Sequence, residues 1–131
     1  MEHEDIMWIE FAKTDIGVAE HLDKQYYPKP LEIICYHCQQ AVEKAIKAII
    51  ISYGAQGGMP KKHNLSFLLE QIKSKVEIPE KYYDYADALT PYGIAVRYPN
   101  ELDIEERHVR DALLYAKEIV GWAEKIVEQK E

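Results

Sequence analysis

Residues 106–127 read ERHVRDALLYAKEIVGWAEKIV. Within them Val109, Ala112, Leu113, Ala116, Ile119, Val120, Ala123, Ile126 and Val127 recur at steps of three and four, which keeps one side of a helix against a neighbour. A seam of that length needs partner helices to cover it, so the stretch predicts a bundle. The partners lie upstream. From Glu4 to about Lys24, the residues Ile6, Ile9, Ala12, Ile16, Ala19 and Leu22 make a second such face. Tyr26, Tyr27, Pro28 and Pro30 then break the pattern, since proline removes a backbone donor and restricts the residue before it. A helix from about Leu31 to Tyr53 follows, with Gly54 able to take the left-handed conformation at its end. Residues 55–62 are a loop by composition. Asn64 is placed to cap a third helix whose inner face is Leu65, Leu68, Leu69, Ile72 and Val76. Pro79 and Glu80 suit the first turn of a fourth, which Pro91 and Gly93 interrupt and Pro99 closes. Asp103 is placed to cap the last helix. No stretch alternates apolar with polar residues for long, so no sheet is expected. The reading is an all-α, up-and-down four-helix bundle with an additional short or broken helix, in a single domain over residues 1–131.

Composition narrows the function classes. A chain of 131 residues and 15.3 kDa has room for one domain, and 47% apolar with 30% charged residues excludes wholesale disorder. The longest apolar run, Ala48 to Ile51, is far short of the ~20 residues that span a bilayer. The start, Met1 to Asp5, is acidic and lacks an apolar signal core, so a cytoplasmic protein that does not engage membranes is expected. With 16 basic and 23 acidic side chains the net charge is −7, which argues against coating bulk nucleic acid by phosphate neutralisation but leaves room for a local basic cleft.

Several patterns invite chemistry. Cys35 and Cys38 form a C-x-x-C, yet no second pair completes a zinc site, and both lie too far inside the helix for a redox thiolate. They share an arc with Leu31, Val42, Ala45 and Ile49 and read as core; no metal and no cofactor are expected. On the opposite arc His37, Gln40, Lys44 and Lys47 align as a polar stripe, with Ile33 and Ile51 on the same meridian at its two ends. Such a stripe is either a solvated face or a surface that meets another subunit or lines a cleft. Lys61, Lys62 and His63 stand at a loop-to-helix junction, suited to a phosphate or simply to capping the helix. Tyr82, Tyr83, Tyr85, Tyr92 and Tyr98 are either stacking platforms for a base or bundle packing with hydroxyls at the rim. There is no phosphate-binding Gly-rich loop, nucleophile elbow or H-E-x-x-H.

Three segments together resemble a known family. The run from Cys35 to Ala48, with His37, Gln39-Gln40-Ala41 and Glu43-Lys44-Ala45-Ile46-Lys47-Ala48, is similar to the second-helix signature of HEPN domains (higher eukaryotes and prokaryotes nucleotide-binding). Lys62-His63-Asn64-Leu65 resembles that family's Lys-Thr-His-Asp-Leu loop, and Arg97-Tyr98-Pro99 its Arg-Tyr-Pro element, in the same order along the chain. The resemblance implies an up-and-down α-bundle that commonly forms homodimers, and a prokaryotic, toxin–antitoxin-like system whose gene neighbour is often a small nucleotidyltransferase. It places ligand or partner contacts at His37, Gln40, Lys44, Lys47, His63, Arg97 and Tyr98, the ligand being a nucleotide or a protein. Ile33, Ile51 and His108 are the expected dimer contacts. Some members cut RNA with an arginine and a histidine four to six residues later. After Arg97 those positions hold Glu101, Leu102 and Asp103, and the next histidine is His108. A non-catalytic binding module is therefore expected. The alternative is a metal-independent ribonuclease in which Arg97 works with a displaced histidine, His108 or His37.

Overall fold

The computed structural model describes residues 3–54, 64–94 and 103–130, so His63, Arg97 and Tyr98 lie outside the described residues. Helices α1 (Glu4–Gln25), α2 (Leu31–Ser52), α3 (Leu65–Glu70), α4 (Lys81–Leu89) and α5 (Glu106–Lys130) are joined by a 3-10 segment, Thr90–Ile94, that continues α4. The described residues contain no strand.

Cross-links between helices fix the topology. Asp5 meets Ser52, and Asp15 meets Lys44, so α1 and α2 are antiparallel. Lys13 pairs with Glu124 and Glu20 with Lys117, so α1 and α5 are antiparallel too. Lys81 reaches Glu118 while Tyr85 stacks on Tyr115, which sets α4 antiparallel to α5. The long elements thus alternate in direction, and the short α3 is the addition. The expected all-α bundle is what the chain forms.

Helix α2 runs through the middle because it is apolar around most of its circumference. Ile34, Cys35, Cys38, Ala41, Val42, Ala45, Ile46, Ala48 and Ile49 are all without solvent exposure. The small residues among them let α1 and α5 approach closely, and Val109, Ala112, Ala116, Ile119, Val120, Ala123 and Val127 close the core from α5. Local signals hold where a side chain does the work. Asn64 Oδ1 accepts from the Phe67 N–H at 3.0 Å, and Gly54 has φ +69° past the end of α2. The fourth helix is broken as its Pro91 and Gly93 suggest.

Three expectations need correction. On α1 the expected face holds at Ile9, Ala12 and Ala19, with Ile16 and Leu22 partly buried beside them, but Ile6 is 37% exposed and the aspartates Asp5 and Asp15 turn inward with the row instead. Helix α3 ends at Glu70, and the chain then turns through bonds such as Gln71 N–H to the Leu68 carbonyl, although Ile72 stays buried. Helix α5 starts at Glu106, beyond Asp103. Its first turn is held by His108, whose Nδ1 accepts from the Glu105 N–H at 2.8 Å, as the third residue does in a capping box.

The cysteines are free and fully buried. Burial pushes the Cys35 thiol up to about 12, with Glu32 adding to it, and pushes Cys38 further still. The folded state therefore keeps thiols protonated where the unfolded chain would ionise them. This stabilisation is complete below the ordinary value of 9.0 and is lost as pH rises toward 12. Iodoacetamide at pH 8 is expected to label neither thiol in the native protein and both in guanidinium, as intact mass will show.

Candidate functional site

The polar stripe of α2 lies beside α1, and its side chains are already engaged. Asp15, on the inner face of α1, accepts from His37 Nδ1 at 2.8 Å through one oxygen and from Lys44 Nζ at 2.7 Å through the other. Bonded in this way the imidazole carries a proton on Nδ1. A second group runs along α2 itself. Gln39, with no solvent exposure, donates through Nε2 to Glu43 Oε1 at 3.0 Å and accepts at Oε1 from Gln40 at 2.8 Å. Lys47 donates to the other Glu43 oxygen at 2.9 Å and lies 6.0 Å from the Trp8 ring centre. Near the end of α2, Ser52 donates to Asp5 at 3.0 Å.

These bonds set the register of α1 on α2. A helix pair joined only by apolar contacts can slide by a turn at modest cost. A buried carboxylate that must keep two donors cannot. The network also reaches the 3-10 segment. A Cβ placed on Gly93 would lie 3.1–3.3 Å from the Gln39 carboxamide, so glycine is what lets this segment rest there.

The electrostatic consequence is direct. Lys44 and Lys47 are the stripe's two permanent cations, and Asp15 and Glu43 are the two carboxylates that hold them. A phosphate arriving at this face meets a polar surface with no uncompensated positive charge. Apolar side chains frame it. Ile33 is 41% exposed at one end and Ile51 partly exposed about 27 Å away at the other. On the neighbouring helix Met7, Phe11 and Val18 are 54%, 49% and 37% exposed. Phe11 packs edge-on against Trp8, with 6.1 Å between ring centres, and Trp8 borders Lys47, so the row on α1 and the stripe on α2 form one continuous face.

Of the expected site residues, His37, Gln40, Lys44 and Lys47 come together here with Ile33 and Ile51, while His108 belongs elsewhere. It lines a crevice of about 80 Å³ with Ala88, Leu89, Tyr92, Asp111, Ala112 and Tyr115, and burial pushes the Tyr92 phenol up to about 12. Of the described tyrosines, Tyr82 and Tyr85 serve packing. Tyr82 meets Trp122 edge-on at 5.1 Å, and Tyr85 lies flat on Tyr115 at 4.0 Å. Gln39 and Glu43 enter the sequence reading only as part of the helix-2 signature, and Asp5 and Asp15 not at all as site residues, although the two aspartates fall on the three-and-four spacing with Ile9, Ala12 and Ala19. A carboxylate inside an apolar row is the signal that identifies them.

Solved structures share this fold. TT1696 from Thermus thermophilus is 24% identical with a TM-score of 0.79, over 99% of this chain and 100% of that one. ST0689, an archaeal HEPN homologue, is 24% identical with a TM-score of 0.73, over 97% and 98%. TM0613, a HEPN domain protein from Thermotoga maritima, is 29% identical with a TM-score of 0.56, over 95% and 93%. No curated protein matches the chain. The family model for the HEPN domain matches residues 7–126, nearly the whole of the bundle just described. The helix-2 signature and the network it builds are thus those of a family member: this chain belongs to the HEPN domain family.

Proposed function

We propose that this chain is a non-catalytic HEPN binding module that works as a homodimer and docks a partner protein, a small nucleotidyltransferase being the candidate its family resemblance suggests. The observation that carries this reading is the neutralisation of the stripe: Lys44 on Asp15 at 2.7 Å and Lys47 on Glu43 at 2.9 Å. A nucleotide or RNA site gains affinity from cations free to meet phosphate. A charge-neutral polar strip framed by Phe11, Met7, Val18 and Ile33 suits a protein surface instead, where matched polar groups set orientation and apolar side chains supply the energy. A metal-free RNA cut also needs an acid or base and a cation at one ribose. His37 has its Nδ1 on Asp15, and His108 uses its Nδ1 to cap α5.

Incubating the purified protein with total RNA is expected to leave the RNA intact. Cleavage that disappears in Arg97→Ala or His108→Ala would establish the ribonuclease alternative and end this reading.

A further inference from the structure

The exposed row on α1 has a symmetry that points to its occupant. Met7, Phe11 and Val18 are exposed, and Leu22, half-buried against the core, continues the row; all four lie within about 60° of one another around the helix. Their positions are also symmetric about a point midway between Thr14 and Asp15, with 7 matching 22 and 11 matching 18. A helix that meets a second copy of itself antiparallel, across a two-fold axis, needs this pattern, because each apolar residue then finds an apolar residue opposite. The flank is also self-complementary. Glu10 and His21, both exposed, lie about 20° apart on the same side of the row, in opposite halves of the helix. In the antiparallel pair their heights differ by about two residues, or 3 Å, so the acid of one copy falls beside the imidazole of the other.

We propose that the homodimer forms through this face, with α1 packed antiparallel on α1 of the second copy. Phe11 sits against the second copy's Val18, Met7 against its Leu22, and Glu10 beside its His21. This rests on reading the α1–α2 face as protein-facing, and it names the first protein there as another copy of this chain. Size agrees. At 1.5 Å per residue the 22 residues of α1 span about 33 Å. Together with the α2 stripe, two helix widths or about 20 Å across, the face offers roughly 650 Å². That approaches the ~800 Å² per partner of a standard stable interface. The face carries no net charge at its centre, so two copies meet without repulsion. The aligned dipoles of antiparallel helices oppose one another favourably.

The test uses the full chain and light scattering after gel filtration at about 50 µM and below. The wild type should be a dimer, and Phe11→Glu should weaken it about 100-fold or more, giving monomers with an unchanged far-ultraviolet helix signal. Glu10→Arg should weaken the dimer, and adding His21→Glu should restore it. Thr14→Cys, beside the axis, should form a disulfide-linked dimer under mild oxidation, while the buried Cys35 and Cys38 leave the parent chain uncross-linked. Leu114→Glu, on exposed α5 surface, should leave the dimer intact. A wild-type monomer overturns the proposal. A dimer that ignores Phe11→Glu and gives no Thr14 cross-link overturns it too, by placing the interface elsewhere. A wild-type monomer also removes the homodimer from the proposed function, whereas a dimer with its interface elsewhere leaves it in place; the non-catalytic part stands or falls on the RNA assay alone.

Discussion

Asp15→Ala is expected to destabilise the fold by about 3 kcal/mol and to lower the thermal midpoint by more than about 10 °C. The carboxylate holds both the Lys44 ammonium and the His37 Nδ1, and removing one member of a buried pair leaves the others uncompensated, at about 3–5 kcal/mol. The lower end applies because His37 and Lys44 side chains keep 25% and 28% exposure and recover some hydration. Chemical denaturation of Asp15→Ala, Lys44→Met and the double variant gives a coupling energy. A value of about 1.5 kcal/mol or more is expected, since the second substitution removes a group already orphaned by the first. Asp15→Asn should recover only part, because an amide offers one acceptor oxygen where the carboxylate meets two donors. If the α1–α2 register depends on this link, the variant should also expose Trp8 to quenchers.

The second large effect concerns Gln39 and Gly93. Gly93→Ala should cost about 1–3 kcal/mol, since the new methyl group would sit 3.1 Å from a carboxamide that is fully buried and held by two hydrogen bonds. Gln39→Ala alone should cost about 2–4 kcal/mol. It leaves a cavity, takes a donor from Glu43 and takes the acceptor from Gln40. Combined, the two should cost less than their sum by at least about 1 kcal/mol, because the shortened side chain makes room for the methyl group. Strict additivity, read from denaturation midpoints, would mean that the 3-10 segment does not rest on Gln39.

The fold is legible in the sequence because its elements are long and periodic. The seam from Val109 to Val127 and the two arcs of α2 carry their faces in spacing alone, and Asn64 and Gly54 mark ends by chemistry that acts within one turn. Spacing misleads in α1, where Ile6 satisfies the apolar period as well as Asp5 does. Which of them turns inward is decided by Ser52, a residue 47 positions away. The α5 cap shows the same limit. Asp103 is a better cap by residue type, but the chain enters the helix at Glu106 and the His108 ring reaches back to the Glu105 N–H.

For the candidate site, the stripe of α2 is visible as a pattern of residue types, and its four polar members do share one face. Their partners are not visible, because an ion pair is a property of two elements. Lys44 and Lys47 read alone are free cations suited to phosphate. Read with Asp15 and Glu43 they are a neutral seam. Phe11, Met7 and Val18 fall outside the expected core face of α1, and their row becomes apparent once the inner face is fixed by Asp5, Ile9, Ala12, Asp15 and Ala19.

The most direct test of the neutral stripe is calorimetric titration of the protein with nucleoside triphosphates and a short single-stranded RNA at moderate salt. Cations already held by carboxylates at 2.7–2.9 Å predict no saturable heat from the stripe, with any affinity weaker than about 1 mM, or roughly 4 kcal/mol of binding free energy. Saturable micromolar binding that is lost in Lys47→Met, a change that leaves the Asp15 pairings in place, would contradict the account.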